Sequence, residues 1–130
     1  MVIVIVIVFG LIIGSFLNAF IHRLHSGQSI LFDRSRCVHC NTELAAKDLV
    51  PVFSFVSLGG KCRYCRKSIS WLYPLIELLT ALMLVLFLLQ ANFEFNDLLL
   101  VNIAAALLLL VIAVYDFKHY LIFFYKNIHI

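Results

Sequence analysis

The chain has 130 residues, 64% of them hydrophobic and 13% charged, with a net charge of only +3. Soluble domains run about 45–50% apolar and about 25% charged, and a globule this small has too little interior to hide the excess. A soluble enzyme, a disordered tail and a collagen-like repeat are excluded, and lipid must take the surplus apolar surface.

Residues 1–21 carry no charge, and Gly10, Gly14, Ser15 and Asn18 alone punctuate their apolar run. A membrane helix needs about 20 mostly apolar residues. The Val/Ile alternation of Met1–Val8 has strand periodicity, but its continuation into a long uncharged run favours a helix in lipid. A cleaved secretory signal would show a positive n-region, a shorter apolar core and a small-residue cleavage site; a retained helix is expected instead. Gly10 and Gly14 form a small-xxx-small pattern, and Asn18 continues the same face. Close helix packing is expected there, with the amide bonding across the contact.

Residues 22–73 are polar and hold Arg23, Arg34, Arg36, Lys47, Lys61, Arg63, Arg66 and Lys67, eight of the ten basic residues. Two Cys-x-x-Cys pairs, Cys37–Cys40 and Cys62–Cys65, stand in this loop with 21 residues between them. Each such turn aims two thiolates at one point, and two turns complete a tetrahedral Zn²⁺ site. Four thiolates leave no open coordination position, so the zinc is expected to be structural, with His39 a surface residue. Redox-active or unliganded thiols and disulfides are the alternatives, the last disfavoured in a reducing compartment. The flanking Arg36, Lys61, Arg63, Arg66 and Lys67 would offset the negative charge of the thiolates. A basic ribbon can bind nucleic acid. Beside a membrane, topology and anionic headgroups explain those charges better, so lipid and no nucleic acid is expected as partner.

A second span is expected over residues 74–90, with Pro74 in its first turn, Glu77 near its positive end, and Trp71 and Tyr73 as an interfacial anchor. A third follows over residues 98–115. The turn between them has Glu94 and Asp97 but no Lys or Arg, while Lys118 and Lys126 come after the third span. Positive-inside bias then puts the N-terminus outside and the large loop and C-terminus in the cytoplasm. The expected fold class is all-α: a polytopic membrane protein with three transmembrane helices and a small zinc-ribbon-like cytoplasmic loop. Asp116 sits just past the third span. An acidic residue there is either functional or a helix end paired with Lys118 or Lys126.

In order, the chain reads Gly14-Ser15-Phe16-Leu17-Asn18, His22-Arg23, Ser35-Arg36-Cys37-Val38-His39-Cys40, then Asp48, Pro51 and Ser54. Gly60-Lys61-Cys62-Arg63-Tyr64-Cys65, Ile69-Ser70, Tyr73-Pro74, Glu77 and Tyr115-Asp116 follow. This set closely resembles the N-terminal half of the bacterial type IV prepilin leader peptidases, over nearly the whole chain up to about Ile122. The resemblance implies an aspartic endopeptidase of the bacterial inner membrane that removes prepilin or pseudopilin leaders on the cytoplasmic side. It implies Asp116 as the first of two catalytic aspartates and Cys37, Cys40, Cys62 and Cys65 as the family's paired loop cysteines. It further implies N-methylation with S-adenosylmethionine as methyl donor, a cofactor for which the sequence itself shows no recognisable pocket.

Two departures qualify that expectation. After Leu121-Ile122 the family usually continues with Pro-Asp, where this chain has Phe123-Phe124, and the Gly-x-Gly-Asp motif with the second aspartate is not among the 130 residues. An aspartic site works through two close carboxylates driven to different pKa values. Asp97 is expected on the opposite membrane face, and Asp33 and Asp48 in the loop. Residues 116–130 thus read as the truncated start of a peptidase core, needing a C-terminal fragment or a second copy, docked through the glycine face, to complete the pair. The alternative is a non-catalytic three-span zinc-binding membrane protein, the remnant of a truncated gene.

Overall fold

The computed structural model describes residues 1–27, 29 and 34–128; Asp33 and the side chain of Lys126 lie outside the described residues. In chain order come α1 (Val2–Ser26), a 3-10 turn (Ala46–Asp48), α2 (Phe53–Ser57), α3 (Leu72–Gln90) and α4 (Asp97–Ile128). The described residues contain no strand, only isolated bridges between Arg36 and Glu43 and between Lys61 and Ser68. Val2–Leu24, Leu72–Gln90 and Asp97–Leu121 are long and apolar enough to cross a membrane. The all-α class with three such helices therefore holds, although the helices are longer than the apolar runs alone suggest.

Local chemistry accounts for the boundaries. α1 ends where Gly27 enters the left-handed region at φ 67° and returns its N–H to the Arg23 carbonyl, a conformation that glycine adopts without a Cβ clash. α4 begins at a side-chain cap, with the Asn96 Oδ1 accepting from the Leu99 N–H at 2.8 Å. It then runs unbroken through Asp116 to Ile128, because no glycine or proline stops it.

α1 and α3 form the core pair. A Cβ added at Gly10 would lie 2.5 Å from the Ala81 Cα, and one at Gly14 would lie 2.6 Å from the Glu77 Cα. The two backbones meet at a distance only glycine permits, as expected of a small-xxx-small face. Leu17, Asn18 and Ile21 of α1 and Ile76, Thr80 and Leu84 of α3 are buried in the same bundle. Asn18 donates from Nδ2 to the Tyr73 carbonyl of α3 at 2.9 Å, and the Thr80 hydroxyl is satisfied by the Ile76 carbonyl at 2.7 Å. The glycine face is filled by α3, so it does not offer a second copy the contact surface expected from sequence. α4 is held more loosely: 6% of its apolar window is buried, against 39% for α3.

Gly14→Ala should therefore weaken the pair by about 1–3 kcal/mol, the range for overpacking. Mixed-micelle unfolding should show the loss for Gly10→Ala and Gly14→Ala, and none for Ala substituted at exposed Leu78.

Candidate functional site

The loop between α1 and α3 is built on two copies of one turn. Cys37 N–H donates to the Thr42 carbonyl at 3.0 Å and Asn41 N–H to the Cys37 carbonyl at 2.9 Å; Cys62 N–H donates to Lys67 at 2.9 Å and Arg66 N–H to Cys62 at 3.0 Å. Asn41 and Arg66, each four residues after the first cysteine of its turn, both take left-handed backbone, at φ 57° and 60°. The two bridges close the turns at matching positions, Arg36 to Glu43 and Lys61 to Ser68. Each turn folds its two thiols inward beneath a short hairpin.

These turns bring Cys37, Cys40, Cys62 and Cys65 together, with all four Sγ atoms within 4.8 Å of one another. Cys37 and Cys65, from different turns, have their sulfurs 3.8 Å apart. A tetrahedron with Zn–S bonds of about 2.3 Å has S···S edges of about 3.8 Å, so the cluster has the dimensions of a four-thiolate metal site. The same separation is far beyond the roughly 2.05 Å of a disulfide, and the four cysteines are free thiols. His39 does not join the group.

The thiols differ in acidity. Hydrogen bonds from the Thr42 side chain and backbone lower Cys40 to about 6. The Cys65 and Tyr64 N–H groups hold Cys62 below its ordinary value despite burial. The Lys67 N–H pulls Cys65 down, but burial and the crowd of neighbouring thiols outweigh it and push the group up to about 11. Four thiolates so close repel one another, and a bound dication is what allows all of them to ionise together.

Asp48 fastens the second turn to the 3-10 turn. Its carboxylate accepts from Arg63 Nε at 2.6 Å, the Tyr64 hydroxyl at 3.1 Å and the Ala45 N–H at 3.2 Å. Burial would raise this carboxyl, but Arg63, Ala45 and Tyr64 together outweigh it and hold it below its ordinary value. Two of the five cations expected to balance the thiolates are thus committed elsewhere, Arg63 to Asp48 and Arg36 to Glu43 at 3.0 Å.

Where the ribbon meets the helices, a cleft of about 750 Å³ is lined by Ser15, Asn18, His22, Arg36, Tyr73 and Glu77, among others. Asn18 is 3% exposed, and its Oδ1 has no hydrogen-bond partner among the described residues. Glu77, expected only to favour the helix start, is buried and accepts the Val52 N–H at 2.7 Å. Val52 there adopts φ 57°, a region a β-branched residue enters only when its surroundings hold it. Neither the Glu77 anchor nor the Asp48 hub is visible in sequence spacing. The duplicated turn is visible, in Arg36-Cys37-Val38-His39-Cys40-Asn41-Thr42 against Lys61-Cys62-Arg63-Tyr64-Cys65-Arg66-Lys67.

Asp116 stands apart from the cysteines. It is exposed on α4 and makes no hydrogen bond or ion pair among the described residues. Two residues on, Lys118 places its Nζ 4.9 Å from the centre of the Tyr73 ring, an attractive cation–π arrangement. That contact brings the Asp116 end of α4 to the ribbon end of α3. Asp97 begins the same helix, about 28 Å away at 1.5 Å per residue, so it is no partner for Asp116.

The chain is similar to part of several known proteins. The chain is 47% identical over 76 residues to a prepilin leader peptidase/N-methyltransferase of Myxococcus xanthus (strain DK1622), covering 58% of this chain and 23% of that protein. It is 40% identical over 95 residues to a type 4 prepilin-like proteins leader peptide-processing enzyme of Escherichia coli O78:H11, covering 59% and 35%. With a prepilin leader peptidase/N-methyltransferase of Aeromonas hydrophila it shares 38% identity over 104 residues, covering 62% and 36%. The chain spans about a quarter to a third of the length of these relatives. No solved structure matches it. Residues 8–91, which carry most of α1, the ribbon and α3 but not Asp116, match the bacterial peptidase A24 N-terminal domain, and the chain belongs to that family.

Proposed function

We propose that this chain is the N-terminal, ribbon-bearing part of a prepilin-processing membrane enzyme, and that Asp116 is one of the two carboxylates that cleave the leader. The observation that carries the reading is the four-thiol cluster seated on the α1–α3 pair, within the family's matched residues, at the same end of the bundle as Asp116. Supporting it, the relatives bear names that describe leader-peptide processing. Positive-inside bias puts that end in the cytoplasm, at the inner face of the bacterial cytoplasmic membrane.

Peptide hydrolysis by a carboxylate pair divides the work. One ionised carboxylate takes a proton from water as the oxygen attacks the scissile carbonyl; the other, protonated, gives its proton to the carbonyl oxygen. Asp116 fills one of these roles, and the second carboxylate comes from outside these 130 residues. Cys37, Cys40, Cys62 and Cys65 would hold Zn²⁺ as a structural ion, which would fix the two turns and thereby the wall of the cleft. The cleft's size is that of a small-molecule site, and its buried Asn18 acceptor suits a hydrogen-bonding ligand. S-adenosylmethionine would be held there by Asn18, Ser15 and Tyr73 and would supply an electrophilic methyl group for the new amino terminus; these residues would orient the ligand and keep water away from it.

Domain limits follow the same logic: residues 1–21, 74–90 and 98–115 as the apolar stretches in lipid, 22–73 as the ribbon loop, and 116–130 as the beginning of the peptidase core. The rival reading, a non-catalytic zinc-bearing membrane protein, is favoured by Phe123-Phe124 in place of the family's Pro-Asp and by an Asp116 carboxylate with no hydrogen bond or ion pair among the described residues.

Prepilin processing in membranes separates the two. Asp116→Asn should lower leader cleavage at least about a hundredfold, as loss of a general acid–base group does; cleavage unchanged by this substitution favours the non-catalytic reading. Metal analysis of the purified protein should return about one zinc per chain, and Cys62→Ser should abolish it. Asp48→Asn should leave the ligands in place yet hasten zinc loss to a chelator about tenfold, the usual scale for a group that supports ligands from outside.

A further inference from the structure

The segment between the two cysteine turns does not have the surface of a water-exposed loop. Phe53 is 70% exposed and Val56 69%, with Leu49 and Val50 at 41% and 42%. In α2, Phe53 and Val56 are three residues apart and share one face. Phe55 turns the other way, buried against Gly60 and packed edge-to-face on Trp71 with ring centres 4.7 Å apart. A five-residue helix with one apolar side inward and another apolar side outward is amphiphilic in the wrong sense for water.

Its position explains the outward side. The Leu49 carbonyl lies 3.5 Å from the Ser15 hydroxyl of α1, and the Val52 N–H is bound to the Glu77 carboxylate of α3. Both anchors lie inside the apolar windows of their helices. Measured along the helix axes, Ser15 is about 12 Å inward from Arg23 and Glu77 about 6 Å inward from Tyr73. Arg23 and the Trp71–Tyr73 pair mark the headgroup level by their chemistry. Amphipathic segments seat their apolar faces about 5–10 Å into the headgroup and acyl boundary. The strained backbone of Val52 is consistent with a loop clamped to the helices rather than resting on them.

We infer that Leu49–Ser57 is a membrane-embedded segment: Leu49, Val50, Phe53 and Val56 enter the lipid leaflet at the ribbon end of the bundle. The occupant of this face is bilayer lipid, because the segment is tied to α1 and α3 at Ser15 and Glu77, within the stretches of those helices that are apolar enough to cross a membrane. Exposed Lys47, just before it in the 3-10 turn, stands where it can meet phosphate headgroups. The ribbon is thus seated in the membrane by three attachments, two helix ends and this short apolar foot. Its backbone polar groups are served by Glu77, by Ser15 and by the turn's own bonds, such as Ser54 N–H to Val50 at 3.1 Å and Val56 N–H to Val52 at 3.0 Å. That meets the requirement for non-helical backbone at membrane depth.

Trp71 is the only tryptophan, which makes the test direct. In a Trp71→Phe background, Phe53→Trp and Val56→Trp are reconstituted separately into phosphatidylcholine–phosphatidylglycerol vesicles whose acyl chains carry bromine. Leu78→Trp serves as a lipid-facing control and Lys67→Trp as a water-facing one. The proposal expects both segment tryptophans to be blue-shifted and quenched by bromolipid at least about twice as strongly as Lys67→Trp, approaching Leu78→Trp. Quenching no greater than that of Lys67→Trp, together with access to aqueous acrylamide, overturns it. Emission that neither bromolipid nor acrylamide reaches would put protein over the patch, and overturns it equally.

Discussion

The polar contacts between α1 and α3 are placed by two glycines that meet a neighbouring helix backbone. Because Gly10 and Gly14 let α1 approach Ala81 and Glu77 to van der Waals distance, Asn18 reaches the Tyr73 carbonyl and Glu77 comes level with Ser15. Between helices in lipid the hydrophobic effect offers no preference for one register, so close packing and interhelical hydrogen bonds must supply it. Asn18 and Thr80 are buried with donors satisfied inside the pair. The register they choose fixes the floor on which the ribbon stands. A larger residue at either glycine would separate the helices, and with them the two anchors of the loop.

The ribbon solves a second problem, that of folding a polar loop of some fifty residues with almost no apolar core. Among the described residues Phe55 and Cys62 are its buried apolar ones, too few to order it by burial alone. Cross-links do the rest. The thiol cluster ties one turn to the other, the Asp48–Arg63 pair at 2.6 Å ties the second turn to the 3-10 turn, and Glu77 ties the segment between them to α3. Asp48 and Glu77 are carboxylates with nearly all of their surface covered, a costly arrangement unless each oxygen is matched by a donor. Here the matching donors are Arg63, Tyr64, Ala45 and Val52.

Much of this was legible before any coordinates. Three apolar runs, two Cys-x-x-Cys pairs and a glycine pair each obey a short-range rule, and each appears where the rule places it. The helix ends were less legible, because apolar content reports where lipid is and not where hydrogen bonding stops; α4 continues through Asp116 for that reason. The roles of Asp48 and Glu77 were hidden because their partners lie 15 and 25 residues away, beyond any periodicity. Proximity of Glu77 to the helix start suggested a dipole effect, whereas the structure uses it as a bracket for a strained valine. The repeated cysteine turn was open to inspection, yet similarity at the level of charge and spacing is easily read as two separate motifs.

The placement of Asp116 follows from these pieces taken together. α4 is the least covered of the long helices, and Lys118 on Tyr73 is its recorded polar tie to the pair. A helix so sparsely attached positions a carboxylate along the membrane normal by its length, but leaves its rotation and lateral position to whatever else packs on it. Asp116 is therefore fixed in depth at the ribbon end of the bundle, while its facing direction is left open. The ribbon is anchored by α1 and α3, so its geometry does not depend on how α4 is turned. The thiol cluster is thus complete within α1, the loop and α3, whereas the surroundings of Asp116 depend on what packs against α4.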